Sequence, residues 1–260
     1  MKAASLTSAV PSWCSPPSAL VLGGDEIHVW RASLDQPRSL SEGFLRTLAA
    51  DERERAARFY FAKDRDHFIV ARGVLRTILS RYLNRMPERV TFCYGAHGKP
   101  ALAGDNGSDA IRFNVAHSHG VALYAVTRGR EVGIDLERIR LDLAVMEIAE
   151  RFFSRREVAA LRTLPTEAQH HAFFRCWTRK EAYIKARGEG LSLPLDEFDV
   201  SLAPGEPAAL LGTQRDPCEA FHWSLWELPL AANYAAALAV AGHGWRLACW
   251  QWLDPRQQTV

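Results

Sequence analysis

Order first shows in the chain where apolar and polar residues alternate. Glu26-Ile-His-Val-Trp30 has the two-residue period of a strand with one buried face. From Ser41 to Leu83 the spacing becomes helical, with arginines recurring among apolar residues. Within that stretch Ile69, Arg72 and Arg76 share one face, and Leu75, Ile78 and Leu79 form the neighbouring stripe. After Pro87 the spacing predicts strands at Val90–Tyr94, Ile111–Val115, Val121–Val126 and Val132–Leu136, the first two separated by a Gly/Asp/Asn-rich stretch from Gly95 to Ser108. The second half predicts helices over Met146–Phe153, Ser154–Leu164 and Thr166–Arg187. Strands follow near Phe198–Val200, Phe221–Leu225, Tyr234–Val240 and Trp245–Trp252. Helices followed by strands thus occur twice. Val121-Ala-Leu-Tyr-Ala-Val126 and Ala235-Ala-Ala-Leu-Ala-Val240 fall at comparable places in the two runs, which predicts two α+β halves meeting at a cleft.

Composition narrows the class without naming a function. Of 260 residues, 48% are apolar and 24% charged, as in an ordinary soluble globular protein. A net charge of +2 is too mild to call for nucleic acid, but it suits an acidic protein meeting a local basic face. Five scattered cysteines, with no metal-ligand spacing, fit small core residues in a reducing cytoplasm. Residues up to Leu22 are rich in Ser, Pro and Ala, and their longest apolar run, Ala19–Leu22, is too short for a signal-peptide core. That stretch is expected to be a loose tail. No segment approaches the about 20 apolar residues that span a membrane.

Candidate chemistry gathers on two elements. In Val132-Gly-Ile-Asp-Leu-Glu137, Asp135 and Glu137 point the same way on a strand, and two such carboxylates repel unless a cation or proton intervenes. The plain alternative is a strand end with solvated acids. Trp177, Glu181 and Lys185 form one stripe of a helix; here the plain alternative is a core tryptophan beside a surface Glu–Lys pair. If the stripe faces the cleft, Glu181 joins Asp135 and Glu137, a set of hard oxygen donors suited to Mg²⁺. Zinc fits poorly, because His117-Ser-His119 is a sparse nitrogen set with no cysteine beside it. For phosphate, Gly98-Lys99-Pro100 places a cation on a stiff turn, Asn114 to Ser118 ends a strand with donors, and Arg72 points inward from a buried helix. Each also has a plain reading: a common turn, a structural histidine, a local salt bridge.

The order of these motifs resembles the Sfp-like family of 4′-phosphopantetheinyl transferases. The chain carries Gly98-Lys-Pro100, Phe113-Asn-Val-Ala-His-Ser118, Gly133-Ile-Asp-Leu-Glu137, Arg151-Phe-Phe-Ser154, Trp177-Thr-Arg-Lys-Glu-Ala-Tyr-Ile-Lys185 and Gly188-Glu-Gly-Leu191, all in family order. Arg58-Phe-Tyr60 and Ala71-Arg-Gly-Val-Leu-Arg76 resemble the family's N-terminal helix, so the likeness runs from about residue 25 to 245. The resemblance implies an α+β fold of two similar α/β halves related by a pseudo-two-fold axis, with coenzyme A between them. The halves would be 25–130 and 131–252, with tails 1–24 and 253–260.

It further implies transfer of the 4′-phosphopantetheine of coenzyme A to a serine of an apo acyl, peptidyl or aryl carrier protein. Asp135, Glu137 and Glu181 would hold Mg²⁺, with Mn²⁺ as substitute. Arg72, Lys99, Pro100, His117, Ser118, Lys180 and Lys185 would contact coenzyme A. Glu181 and Lys185 would be catalytic, Glu181 taking the serine proton. The rival base, Glu157, lies in Ser154-Arg-Arg-Glu157, which reads as a capping box. Arg151, Arg155, Arg156 and Arg162, beside Phe152 and Phe153, are expected to dock the acidic carrier. One departure stands out: Ala116 replaces the family's serine, removing a hydroxyl expected to donate to phosphate. A cytoplasmic monomer is expected, because the cleft lies within one chain. The rival readings are a Mg²⁺-dependent diphosphate hydrolase and a non-catalytic coenzyme A or carrier-binding protein.

Overall fold

The computed structural model describes residues 12–104 and 107–253; the outer parts of the two expected tails, 1–11 and 254–260, lie outside the described residues. The first run of elements is β1 (Glu26–Ser33), α1 (Arg38–Thr47), α2 (Ala50–Ala57), α3 (Ala62–Leu83), β2 (Phe92–Tyr94), β3 (Pro100–Leu102), β4 (Ile111–Ser118) and β5 (Val121–Arg128). The second is β6 (Val132–Arg138), α4 (Val145–Phe152), α5 (Arg155–Arg162), α6 (Thr166–Arg187), β7 (Phe198–Val200), β8 (Leu210–Thr213), β9 (Trp223–Glu227) and β10 (Tyr234–Ala241), after which β11 (Arg246–Gln251) closes the chain. Each run is a strand, short helices, a 22-residue helix, a two-stranded hairpin and two antiparallel strands.

Pairing repeats as well. The main sheets have the orders β11-β1-β5-β4 and β6-β10-β9, so β5 and β10, which hold the two similar apolar segments, occupy matching places. The repeat breaks at β11, which pairs in parallel with β1, Glu26 to Arg246 through Arg31 to Gln251. Residues just before β1 are pinned there too. The Cys14 N–H donates to the Cys249 carbonyl at 3.0 Å, and Arg81 holds the Pro17 carbonyl at 2.6 Å. The long helical pattern from Ser41 breaks into three helices. The hairpin strands β3 and β8 escaped the sequence reading because three or four residues show no period.

Alternation along the strands builds three apolar layers. Ile27, Val29, Leu123, Ala125, Ile134, Leu136, Ala236 and Leu238 fill the layer between the two sheets. Trp30, Ala32, Ala122 and Tyr124 point the other way, onto α1 and α3. Ala237 and Ala239 pack with α6 in the second half. With Ile134 and Leu136 turned inward, strand geometry sends Asp135 and Glu137 to the α6 side. The edges of β4 and β6 are stitched by side chains: Asn114 Oδ1 accepts from the Ile134 N–H at 2.9 Å and Ser118 Oγ from the Arg138 N–H at 3.2 Å.

Candidate functional site

Helix α6 lies unusually near β6. A Cβ on Gly133 would stand 2.0 Å from the Ala182 carbonyl oxygen, so only glycine admits this approach. Asp135 on β6 is thereby brought under α6, where Lys185 Nζ meets its Oδ1 at 2.6 Å. Its other oxygen, Oδ2, is buried with no hydrogen-bond partner. Glu137 accepts from the Ser118 hydroxyl at 3.2 Å. Burial first, and then the charge of Asp135, push the carboxyls of both Glu137 and Glu181 above the usual range, with Lys185 opposing. The three acids therefore lie in one another's field, as two elements bearing hard oxygen donors for a cation would require. As they stand, no three His, Cys, Asp or Glu side chains among the described residues are close enough to hold a metal ion. The Lys185 ammonium supplies the counter-charge to Asp135.

The helical stripe read from the sequence is real in part by packing. Trp177 stacks on Phe173 at 5.9 Å between centroids and meets Phe152 edge-on at 6.0 Å, anchoring one end of the stripe in the aromatic core. At the other end Glu181 and Lys185 line a cavity of about 260 Å³, together with Gly98, Lys99, Pro100 and Asn114. Gly98 turns there with φ 78°. Lys99 Nζ donates to the Ala186 carbonyl at 3.0 Å and to Glu131 at 3.1 Å, and burial lowers its pKa. The Lys99 ammonium spends its three N–H groups on Glu131, the Val132 carbonyl at 3.3 Å and the Ala186 carbonyl, so an incoming anion reaches it by displacing the exposed Glu131 carboxylate.

His117 and Ser118 end β4 at the seam. The Ser118 hydroxyl is already engaged, donating to Glu137 while accepting from Arg138. The His117 ring is held below its ordinary pKa, first by desolvation and then by the neighbouring Lys185, His67 and Arg55. His67 and Arg55 are thus rim residues that the sequence reading missed. They come from α3 and α2, and only folding brings them beside β4; no spacing in the sequence marks them. His67 is held by Asp35, Nε2 to Oδ1 at 2.9 Å.

Two expected phosphate ligands are engaged elsewhere in this structure. Arg72 does point inward to an anion, but the anion is the buried Glu52 carboxylate. Its guanidinium also donates to the Tyr94 hydroxyl at 2.8 Å and lies 4.0 Å over the Phe92 ring. Lys180 is not brought to the cavity: it is fully buried, on Glu157 Oε2 at 2.7 Å. Glu157 closes the capping box, accepting from the Ser154 N–H at 3.0 Å, and also accepts from the Val200 N–H at 2.8 Å. Among the arginines expected to dock a partner, Arg162 pairs with Glu150 at 2.6 Å. Arg151, Arg155 and Arg156 line a separate cavity of about 800 Å³ that also carries Asp196, Glu197 and Asp199.

Comparison with known proteins gives a consistent result. The profile of the 4′-phosphopantetheinyl transferase superfamily matches residues 131–239, and that of the 4′-phosphopantetheinyl transferase N-terminal region matches residues 30–128. The chain is 44% identical to the 4′-phosphopantetheinyl transferase HetI of Nostoc sp., over 93% of this chain and 98% of that relative. It is 32% identical to the 4′-phosphopantetheinyl transferase Sfp of Bacillus subtilis, over 71% of this chain and 81% of the relative.

Proposed function

We propose, from the premise that the chain belongs to the 4′-phosphopantetheinyl transferase superfamily, that it moves the 4′-phosphopantetheine arm of coenzyme A onto a serine of an apo carrier protein. One observation carries the reading: the Asp135–Lys185 contact sits beside Glu181 at the wall of a cavity that Lys99 also lines. Cations and acids interleaved around one cavity suit a pyrophosphate that must be cleaved with charge neutralised.

In this reading Lys99 and Lys185 bind the pyrophosphate oxygens, and Arg55 draws the remaining phosphate toward the cleft mouth, where His117 and His67 offer ring nitrogens for hydrogen bonding. The carrier serine Oγ forms a bond to the β-phosphorus, the bond from that phosphorus to the bridging oxygen breaks, and 3′,5′-ADP leaves. Glu181, at the cavity wall, takes the serine proton. Mg²⁺, held by Asp135, Glu137 and Glu181, would add neutralisation of the charge that develops on the leaving group. The orphaned Asp135 Oδ2 and the mutual field of the three acids fit that ion. Mn²⁺ would serve in its place.

The carrier would dock on the arginines of α4 and α5, with the enzyme working as a cytoplasmic monomer whose halves divide near residue 130. Among the described residues no helix is long and apolar enough to cross a membrane. The test is intact-mass measurement of an apo carrier protein incubated with the enzyme, coenzyme A and Mg²⁺. The expected result is a gain of the phosphopantetheine mass that disappears with EDTA and with Glu181→Ala. No gain on several carriers, with coenzyme A still bound, would replace this reading with a binding protein or a diphosphate hydrolase.

A further inference from the structure

The buried residue next to Glu181 repeats a construction found in the first half of the chain. Lys180 is the fifteenth residue of α6, and its ammonium has three acceptors for its three N–H groups: Glu157 Oε2 at 2.7 Å, the Leu195 carbonyl at 2.7 Å and the Phe198 carbonyl at 2.5 Å. Arg76 is the fifteenth residue of α3, and it contacts Glu52 Oε2 at 2.7 Å, the Pro87 carbonyl at 2.9 Å and the Val90 carbonyl at 2.7 Å.

The correspondence extends to every partner. Glu52 and Glu157 each occupy the third position of the eight-residue helix before the long one, and each accepts from the backbone N–H three residues earlier, at 2.8 Å and 3.0 Å. In each half the two carbonyls are those of the first residue of a 3-10 turn, Pro87–Arg89 or Leu195–Glu197, and of the residue just past it.

We infer that Lys180 is a positioning residue for the transferase site: its clamp on Glu157 and the turn before β7 fixes the rotation and height of α6, and so places Glu181 and Lys185 against Asp135. Successive helical residues point about 100° apart, so an anchor at position 180 turns position 181 toward the cavity. The clamp reaches the reaction only through the helix, because the Lys180 ammonium is fully buried and has all its donors filled inside the protein. The first half supplies an internal control. Where α6 carries Glu181 and Lys185, α3 carries Thr77 and Arg81, which do not line the candidate cavity.

The inference rests on the transferase reading, and the test separates the two. Lys180→Met with Glu157→Gln removes both charges and leaves no unpaired buried ion. Arg76→Met leaves Glu52 paired with Arg72. At a temperature where all proteins are folded by circular dichroism, the Lys180→Met/Glu157→Gln enzyme should lose roughly tenfold or more in kcat, because a displacement of about 1 Å at a site can cost more than that. Arg76→Met should stay within about twofold in kcat, since its helix carries the rim residue His67 but neither Glu181 nor Lys185; any effect should fall on the KM for coenzyme A. Lys180→Arg, which puts the first half's cation in the second half's clamp, should stay close to wild type.

A crystal structure of the paired variant should show the Lys185–Asp135 contact, 2.6 Å in the native chain, lengthened. If that variant does not fold, Glu157→Asp, which keeps both charges and shortens the reach, carries the same two measurements. A folded variant with native kcat and an intact contact overturns the inference, as does an equal kcat loss in Arg76→Met. If the native enzyme transfers nothing, the functional reading fails, and the crystallographic measurement still decides the clamp.

Discussion

At the scale of single residues, Glu181 should betray itself through protons. Its carboxyl pKa is raised by burial and by Asp135, so protonation favours the folded chain. A group whose folded pKa lies above its unfolded value adds stability at acid pH that is lost as pH rises through the folded pKa. Without Mg²⁺, Glu181→Gln should therefore melt higher than the native protein at pH 7, and the gain should shrink as pH falls toward the ordinary carboxylate range. Equal melting at both pH values would mean the carboxylate is not strained.

Ala116 yields a prediction of a different kind. It is 4% exposed in the layer between the sheets, between the Asn114–Ile134 and Ser118–Arg138 stitches. By the two-residue period of these stitches, a hydroxyl there would be turned toward the Leu136 N–H of β6, which gives a serine a structural partner as an alternative to phosphate. Ala116→Ser should raise the melting temperature by the equivalent of about 1 kcal/mol, a typical net hydrogen bond, and leave the KM for coenzyme A unchanged. A lower KM would restore the phosphate role.

At the scale of elements, the approach of α6 to β6 is the arrangement on which the acids and Lys185 depend. Gly133→Ala would drive a methyl into the Ala182 carbonyl, and overpacking of this kind costs about 1–3 kcal/mol. Transfer activity should fall further than stability, because the helix that retreats carries Glu181 and Lys185. Comparing melting with kcat in the same preparation checks this. Much of this element was legible beforehand. The spacing of Trp177, Glu181 and Lys185 and the alternation of Asp135 with Ile134 are local properties, and local periods survive folding. Lys180 was not legible, because the spacing does not distinguish a cation facing the cavity from its neighbour facing a buried glutamate twenty-three residues earlier in the sequence. The Arg72 partner was illegible for the same reason: Glu52 comes from another helix.

At the scale of the molecule, the repetition glimpsed in two apolar segments proves to reach the strand order, the long helices and their buried clamps. Single-sequence periodicity could not carry it further, because equivalent positions hold different residues: Arg76 answers to Lys180, Thr77 to Glu181. The arginines of α4 and α5 remain the place to test partner electrostatics. Raising salt should increase the KM for the carrier protein more than that for coenzyme A, since exposed charges are screened over about 8–10 Å. Equal shifts would move the docking surface elsewhere.

The parallel strand β11 carries a last consequence. It crosses from the end of the second run to lie on β1, and Cys14 fastens beside it, so the first and last stretches of the described residues meet on one sheet. The two runs are therefore bound together twice, once through the short link from β5 to β6 and once through this return. The β4–β6 seam has no such chain link: the Asn114 and Ser118 side chains and the apolar layer join it, and along it stand the carboxylates and cations through which the chain would act.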